Sequence, residues 1–215
     1  MVDGAGSPVT VTYNSLTAGR GLVCAVGVRD FSGTSSSVDS ISDGTTNFTL
    51  IGTYQFNDTN NFGIGIGYLP AQAGGGNKTI TATFTSADGA SASAVIWCAE
   101  LYDSVTGGIA VDGTGNATGN STAPTVNVTT GSANSAILSF VVASLDPTVG
   151  AAYTSLVSNA WFLYEESEYD LDAGAAGTYA ADWSMSSAQW VIAAAGFKAS
   201  ASAAQTFGFY KRRAQ

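Results

Sequence analysis

Short stretches of alternating apolar and polar residues recur along the whole chain, and turns rich in Gly, Ser, Thr and Asn separate them. Alternation at every second position is typical of a half-buried β-strand, and no stretch shows the period of about 3.6 residues that marks an amphipathic helix. Evenly spaced short strands favour a sandwich or a barrel. We therefore predict an all-β fold, a single jelly-roll-like antiparallel β-sandwich of about 10–12 strands.

Two kinds of strand supply the predicted core. The stretch KTITATFTS places Ile80, Ala82 and Phe84 on one face and threonines on the other. The run GLVCAVGV is apolar at nearly every position, which is typical of a central strand covered on both faces. The residues that we expect to be buried are Val23, Val26, Ile64, Ile66, Phe84, Ile96, Trp97, Leu138, Phe140, Val191 and Ile192.

The pattern favours one domain, because no segment resembles a linker between separately folded halves. Residues 104–125 are rich in Gly, Asn, Thr and Ser. They predict a long surface loop, which is the best candidate for an internal boundary. We divide the chain into an N-terminal arm (1–7), a β-sandwich domain (8–198) and an extended C-terminal tail (199–215).

The residue types that usually carry chemistry at neutral pH are scarce. The chain has no histidine, 2 cysteines and 7 lysines and arginines. A Ser-His-Asp triad cannot form without histidine, and the glycines of GIGIG at 63–67 belong to a strand rather than to a nucleotide-binding turn. We expect a protein that is not an enzyme and that uses no cofactor.

The net charge is −9. An acidic body repels nucleic acid and anionic membranes, so we expect neither as a partner of the body. No apolar run approaches the length of a membrane span. The start MVDGAGSPVT has neither the basic region nor the apolar region of a signal peptide, so none is expected.

Cys24 and Cys98 both lie in apolar, strand-like runs. The pattern favours two buried thiols. A disulfide between neighbouring strands is the alternative, and it requires a Cα geometry that sequence does not contain.

An acidic run in the C-terminal third is the sharpest local feature. Glu166, Glu168 and Asp170 fall on one face of a strand, where a solvated acidic surface is expected. Carboxylates of this kind are weak candidates for a Ca²⁺ site, because same-face neighbours on a strand are about 6–7 Å apart. A glycosidase pair that joins Glu166 to Glu100 or Asp182 is the less favoured alternative.

Aromatic side chains cluster in the same third of the chain. A flat ring beside polar side chains can stack on the apolar face of a sugar. Trp161, Tyr164 and Trp183 are therefore candidate sugar contacts, and core packing is the alternative for each of them.

Several stretches resemble a poorly characterised β-sandwich domain of bacterial secreted proteins and tailed-phage structural proteins. They are SVDSISDGTTNFTLIGTY, IGIGYLPAQAGGGNKTITATF, AVIWCAELYDSV, PTVNVTTGSANSAILSFVVAS and AGTYAADWSMSSAQWVIAAAGFK. The resemblance covers roughly residues 8–198. It implies the fold, and it carries no catalytic residues to this chain.

The C-terminal end joins aromatic rings to cations. Its candidate assembly residues are Phe207, Phe209, Tyr210, Lys211, Arg212 and Arg213. We expect residues 199–215 to leave the sandwich and to dock on the acidic, partly apolar surface of a neighbouring copy.

These features favour a structural protein located in the virion, either a head decoration (cement) protein of a tailed phage or another repeated surface subunit. Its expected partners are other copies of itself and neighbouring virion proteins. The alternative is an extracellular carbohydrate-binding or adhesive module that recognises surface glycans.

Overall fold

A computed structural model describes residues 2–5, 7–30, 36–56, 61–85, 92–103, 107–160, 164–200 and 207–210. These ranges form strands β1 to β18, and no helix lies within them. The strands of the N-terminal half are β1 Val2–Ala5, β2 Val9–Leu16, β3 Gly21–Arg29, β4 Ser37–Ser42, β5 Thr49–Leu50, β6 Tyr54–Phe56, β7 Phe62–Leu69, β8 Gly76–Thr85 and β9 Ser93–Asp103. Those of the C-terminal half are β10 Ile109–Ser121, β11 Thr125–Thr130, β12 Ala136–Ala143, β13 Thr148–Val149, β14 Thr154–Ala160, β15 Tyr164–Asp170, β16 Gly177–Ser184, β17 Ala188–Ala199 and β18 Phe207–Tyr210.

Apart from β18, the strands of each half form one large and one small antiparallel sheet. In the N-terminal half, sheet A has the order β1-β9-β3-β7-β5, with β6 also paired to β7 and β18 also paired to β9, and sheet B has the order β2-β8-β4. In the C-terminal half, sheet C has the order β10-β17-β12-β15-β14, and sheet D has the order β11-β16-β13.

The two halves share one topology. Strands β10 to β17 take, in chain order, the places of β1 to β5 and β7 to β9. Each half therefore has the connectivity of a jelly roll, in which successive strands alternate between two sheets, except that β5 and β14 pair within the large sheet of their half. The all-β antiparallel sandwich is confirmed. The expected single sandwich of about 10–12 strands is wrong in number, because the described residues form two jelly rolls in tandem.

Three apolar cores separate four sheets, in the order B, A, C and D. Sheets B and A enclose Val11, Ile80 and their neighbours. Sheets A and C enclose a core that includes Ile64 and Phe140, and sheets C and D enclose one that includes Ile192. All the residues that the sequence places in the core are at most 5% exposed, so that prediction is confirmed.

Residues 109–121 form an edge strand of sheet C, and the prediction of a long surface loop over 104–125 is wrong for them. β10 pairs with β17 along its whole length. Its glycines are required because β11 approaches closely: a Cβ added at Gly113 would lie 2.0 Å from the carbonyl oxygen of Thr129, and one at Gly115 would lie 2.3 Å from that of Asn127. A composition that resembles a loop thus belongs to a strand packed against another backbone.

Both terminal segments contain a described strand that pairs with β9. Val2–Ala5 in the expected N-terminal arm forms β1, and Phe207–Tyr210 in the expected tail forms β18. The expectation that the tail leaves the sandwich is therefore wrong for residues 207–210 of the single chain. The reason is that the edge of β9 offers unpaired backbone groups that these short strands satisfy.

Cys24 on β3 and Cys98 on β9 are directly opposed in the register and form a disulfide. Their Cα atoms are 4.0 Å apart, and both side chains belong to the core between sheets A and B. The prediction of two buried thiols is therefore wrong in their bonding state. The bridge closes a long loop, since the two cysteines are 74 residues apart.

Replacing both cysteines (Cys24→Ala with Cys98→Ala) should lower the free energy of unfolding by about 4 kcal/mol, because the bridge restricts the unfolded chain. Guanidinium denaturation of the oxidised wild type and the double variant measures the difference. Wild-type protein unfolded in the presence of a reductant is the control, and it should fall to the level of the variant. Equal stability of the oxidised wild type and the variant would contradict the prediction.

Candidate functional site

The acidic run lies on β15, and this strand is buried. β15 is flanked by β12 and β14 within sheet C. Glu165, Glu166 and Glu168 are 1%, 5% and 0% exposed, so the expected solvated acidic face is wrong. The reason is that sheets A and D cover the two faces of sheet C, and the alternation of β15 directs Glu165 towards sheet A and the other two towards sheet D.

Glu168 lies at the centre of a polar cluster on the D-facing side of sheet C. Its register partners are Ser139 on β12 and Ser155 on β14. The hydroxyl of Ser155 donates a hydrogen bond of 2.6 Å to Oε1 of Glu166. Tyr153 is half-buried at the border of the same core. We name Tyr153, Ser155, Glu166 and Glu168, together with Asp182 of β16, the carboxylate cluster.

Burial raises the pKa of Glu168 to about 8. The backbone N–H of Gly150 lowers this pKa, whereas the negative charges of Asp182 and Glu166 raise it further. Burial also raises the pKa of Tyr153 well above its usual value, and the carboxylates of Glu168, Asp170 and Asp182 add to that effect. Glu168 is therefore mainly protonated at neutral pH, and its neutral form is the one that the core accommodates.

The carboxylate cluster does not have the arrangement of a metal centre. Within the described ranges, no group of three or more His, Cys, Asp or Glu side chains comes together as metal ligands. This applies to Glu166, Glu168 and Asp170, the weak Ca²⁺ candidates. Spacing along one strand keeps their oxygens too far apart to share an ion.

Glu100 takes part in a separate network on the other side of the molecule. Its Oε1 accepts hydrogen bonds from Gln72 Nε2 at 2.8 Å and from the backbone N–H of Thr17 at 2.5 Å, and its Oε2 lies 3.5 Å from a guanidinium nitrogen of Arg20. Glu100 belongs to sheet A, and sheets A and C with the core between them separate it from Glu166, so these two residues do not form a glycosidase pair. Asp182 lies near enough to raise the pKa of Glu168.

The predicted sugar platform does not form from the aromatic residues that are described. Trp183 is 2% exposed and belongs to the core between sheets C and D, so its role as a sugar contact is wrong. It faces inward because it alternates with the exposed Asp182 and Ser184 along β16. Tyr164 is partly exposed at the start of β15, and Trp161 lies outside the described residues.

The candidate assembly residues divide into three groups. Phe207 is 7% exposed and packs against the core between sheets A and C. Phe209 and Tyr210 lie in the backbone of β18, opposite Leu101 and Glu100. Lys211, Arg212 and Arg213 lie outside the described residues.

Sequence reasoning missed the edge of β9, which is filled by two separate strands. β1 pairs with residues 93–96 and β18 with residues 100–103, both antiparallel to β9, so that they follow one another along the same edge. Between them, the backbone N–H of Cys98 donates a hydrogen bond of 2.6 Å to the hydroxyl of Tyr13. In the second jelly roll, β10 alone fills the corresponding edge of the equivalent strand β17, where it pairs with residues 188–199.

A weak internal similarity was the signal available for this feature. Val9 and Val11 follow Pro8, and Val126 and Val128 follow Pro124 at nearly the same spacing. Both valine pairs are buried in strands that occupy equivalent places in the two halves. Recognition of this repeat would have indicated two equivalent units and hence two equivalent edges.

The outer faces of sheets B and D present hydroxyl groups. Cross-strand pairs join Thr12 to Thr79 at 3.1 Å and Ser40 to Thr83 at 2.6 Å on sheet B, and Thr129 to Thr178 at 2.8 Å on sheet D. The described ranges contain no helix long and apolar enough to cross a membrane.

No family model matches this chain, and no curated protein matches it. Among solved structures, a protein of Eubacterium rectale described as a "putative secreted protein" is 12% identical, with a TM-score of 0.24, over 97% of this chain and 70% of that one. A TM-score of 0.24 does not establish a shared fold.

Replacing Glu168 by Gln should flatten the dependence of stability on pH. The pKa of Glu168 is raised from 4.5 to about 8 on folding, so the wild type has the full stabilising contribution below pH 4.5 and loses it as the pH rises through 8. The loss is about 1.4 kcal/mol per pH unit within this window, and the amide of Glu168→Gln does not ionise.

Urea denaturation at intervals from pH 5 to pH 9 measures this effect. The control is Asp146→Asn, which changes an exposed carboxylate and should keep the slope of the wild type. A Glu168→Gln variant whose stability falls with pH as steeply as that of the wild type would show that Glu168 does not titrate as described.

Proposed function

We propose that this chain is a non-enzymatic structural subunit of a virus particle, a head decoration protein or another repeated surface subunit, which acts through contacts between subunits. The observation that carries the proposal is the pair of jelly rolls joined through a common core. Jelly rolls recur in viral capsid proteins. Two of them packed face to face make a block with extensive outer surfaces for neighbouring subunits.

Two further observations support this proposal. The Cys24–Cys98 disulfide favours a protein that resides in an oxidising environment, such as the surface of a particle outside the cell. The distribution of charge favours contacts between copies: three of the seven basic residues lie at 211–213, whereas the rest of the chain has four basic and sixteen acidic residues. The basic end of one copy complements the acidic body of the next.

An extracellular carbohydrate-binding module is the second candidate. It is supported by the use of jelly rolls in lectins and by the hydroxyl-lined outer faces of sheets B and D. Serine and threonine hydroxyls can both donate and accept hydrogen bonds to a sugar. The buried position of Trp183 removes one of the aromatic contacts on which this candidate depended.

Particles from a culture that produces this chain test the first candidate. After purification on a density gradient, the chain should sediment with the other particle proteins at a constant ratio, and antibodies against it should label intact particles in electron micrographs. The purified chain should show no binding on a glycan array. A chain that stays in the particle-free fraction and binds a defined glycan would contradict the proposal and support the second candidate.

A further inference from the structure

The edge of β9 combines two strands from distant parts of the chain. Strands β1 and β18 together occupy the place that β10 fills alone in the second jelly roll. They contribute four paired residues each, whereas β10 spans 13 residues without a break other than one bulge. Each of the two short strands is therefore held by few backbone hydrogen bonds, and residues 97–99 of β9 lie between the two paired segments.

β18 makes a small and well-defined set of contacts. Among the described strands it pairs with β9 alone. Phe207 contributes its ring to the core between sheets A and C. Gly208 lies against the ring of Tyr102, where an added Cβ would approach a ring carbon to 2.5 Å. These contacts specify the register of β18 on any β9 strand that has this sequence.

The connection to β18 is long enough to reach another molecule. The backbone N–H of Ser200 donates a hydrogen bond of 3.2 Å to the carbonyl oxygen of Gly108, which holds the end of β17 in place. The sequence then has the six residues 201–206 before Phe207. Fully extended, six residues span about 20 Å, and their sequence, ASAAQT, contains no large apolar side chain.

We propose that β18 is exchanged between copies of this chain, so that in the assembled particle β18 of one copy pairs with residues 100–103 of β9 in the next. The proposal rests on the proposed function and identifies the contact through which the subunits join. Exchange preserves every contact that β18 makes in the single chain, which is why it needs no new binding surface. In the sequence, the basic residues at 211–213 follow β18 directly, and their charge complements the acidic composition of the rest of the chain.

A thiol cross-link across the β9–β18 pair distinguishes the two arrangements. Tyr102 and Gly208 are register partners on the partly exposed side of the edge. In the full-length Tyr102→Cys, Gly208→Cys double variant, the new thiols are opposed whether β18 lies on its own β9 or on that of a neighbour. The native cysteines are bonded to each other and buried, so a short bismaleimide reagent joins only the new pair.

The reaction is carried out on monomeric and on assembled fractions separated by size-exclusion chromatography. Denaturing gels should show cross-linked monomers from the monomeric fraction, and this band also proves that the variant folds and that its thiols meet. The assembled fraction should give a ladder of dimers and larger species. Each single variant is a control and should give neither product.

Assembled material that yields cross-linked monomers alone would overturn strand exchange and leave the subunit role intact. Failure of the wild type to assemble at any concentration, together with its absence from purified particles, would contradict both proposals. Circular dichroism of the double variant must match that of the wild type. If it does not, deletion of residues 205–215 serves instead: exchange predicts a folded monomer that no longer assembles, and assembly at the wild-type level would overturn the inference.

Discussion

The apolar core between sheets A and C is the contact on which the rest of the structure depends. It takes one face from the large sheet of each jelly roll, including Ile64 from β7 and Phe140 from β12. Aromatic rings meet edge to face across it, with ring centroids 5.9 Å apart for Tyr68 and Phe197 and 6.0 Å apart for Trp97 and Phe140. Either half alone would expose this apolar face to water, so neither half buries its large sheet without the other.

Glu165 of sheet C packs closely against Gly27 of sheet A inside this interface. Glu165 is 1% exposed, and a Cβ added at Gly27 on the facing sheet would lie 2.4 Å from its Oε1. The same Cβ would lie 2.7 Å from a methyl carbon of Val142. The absence of a side chain at Gly27 therefore lets sheet C pack closely against β3. A larger side chain at this position would force the two sheets apart.

Local patterns predict some elements of this fold well and others poorly. The alternation of Ile80 and Phe84 with threonine correctly indicated a strand with one buried face. The structure adds that this strand belongs to an outer sheet, where its other face meets water. Glu166 and Glu168 indicated a solvated strand, since charge ordinarily marks exposure. Their burial depends on sheet D, which is formed by residues distant in sequence. The prediction of a loop over 104–125 was wrong for a related reason. The glycines of β10 allow β11 to pack closely against this strand, and they do not mark a turn.

Local sequence patterns also did not predict that the two halves share one topology. Equivalent strands share apolar positions but few identical residues, so the duplication becomes visible when the strand orders of sheets A and C are compared. The same comparison identifies the unusual edge of β9. Two strands, β1 and β18, fill this edge, whereas β10 alone fills the edge of the equivalent strand β17. The aromatic and basic character of the tail predicts its assembly residues, and the register on β9 adds which residue of β9 each of Phe207 to Tyr210 opposes.

Differential scanning calorimetry tests most directly whether the two jelly rolls form one unit. The shared core predicts a single transition whose calorimetric enthalpy equals its van't Hoff enthalpy. It also predicts that Gly27→Val, which lies in the first half but crowds the common interface, lowers the temperature of the whole transition. Two separate transitions in the wild type, or a Gly27→Val variant in which half of the unfolding enthalpy stays at the original temperature, would contradict the account.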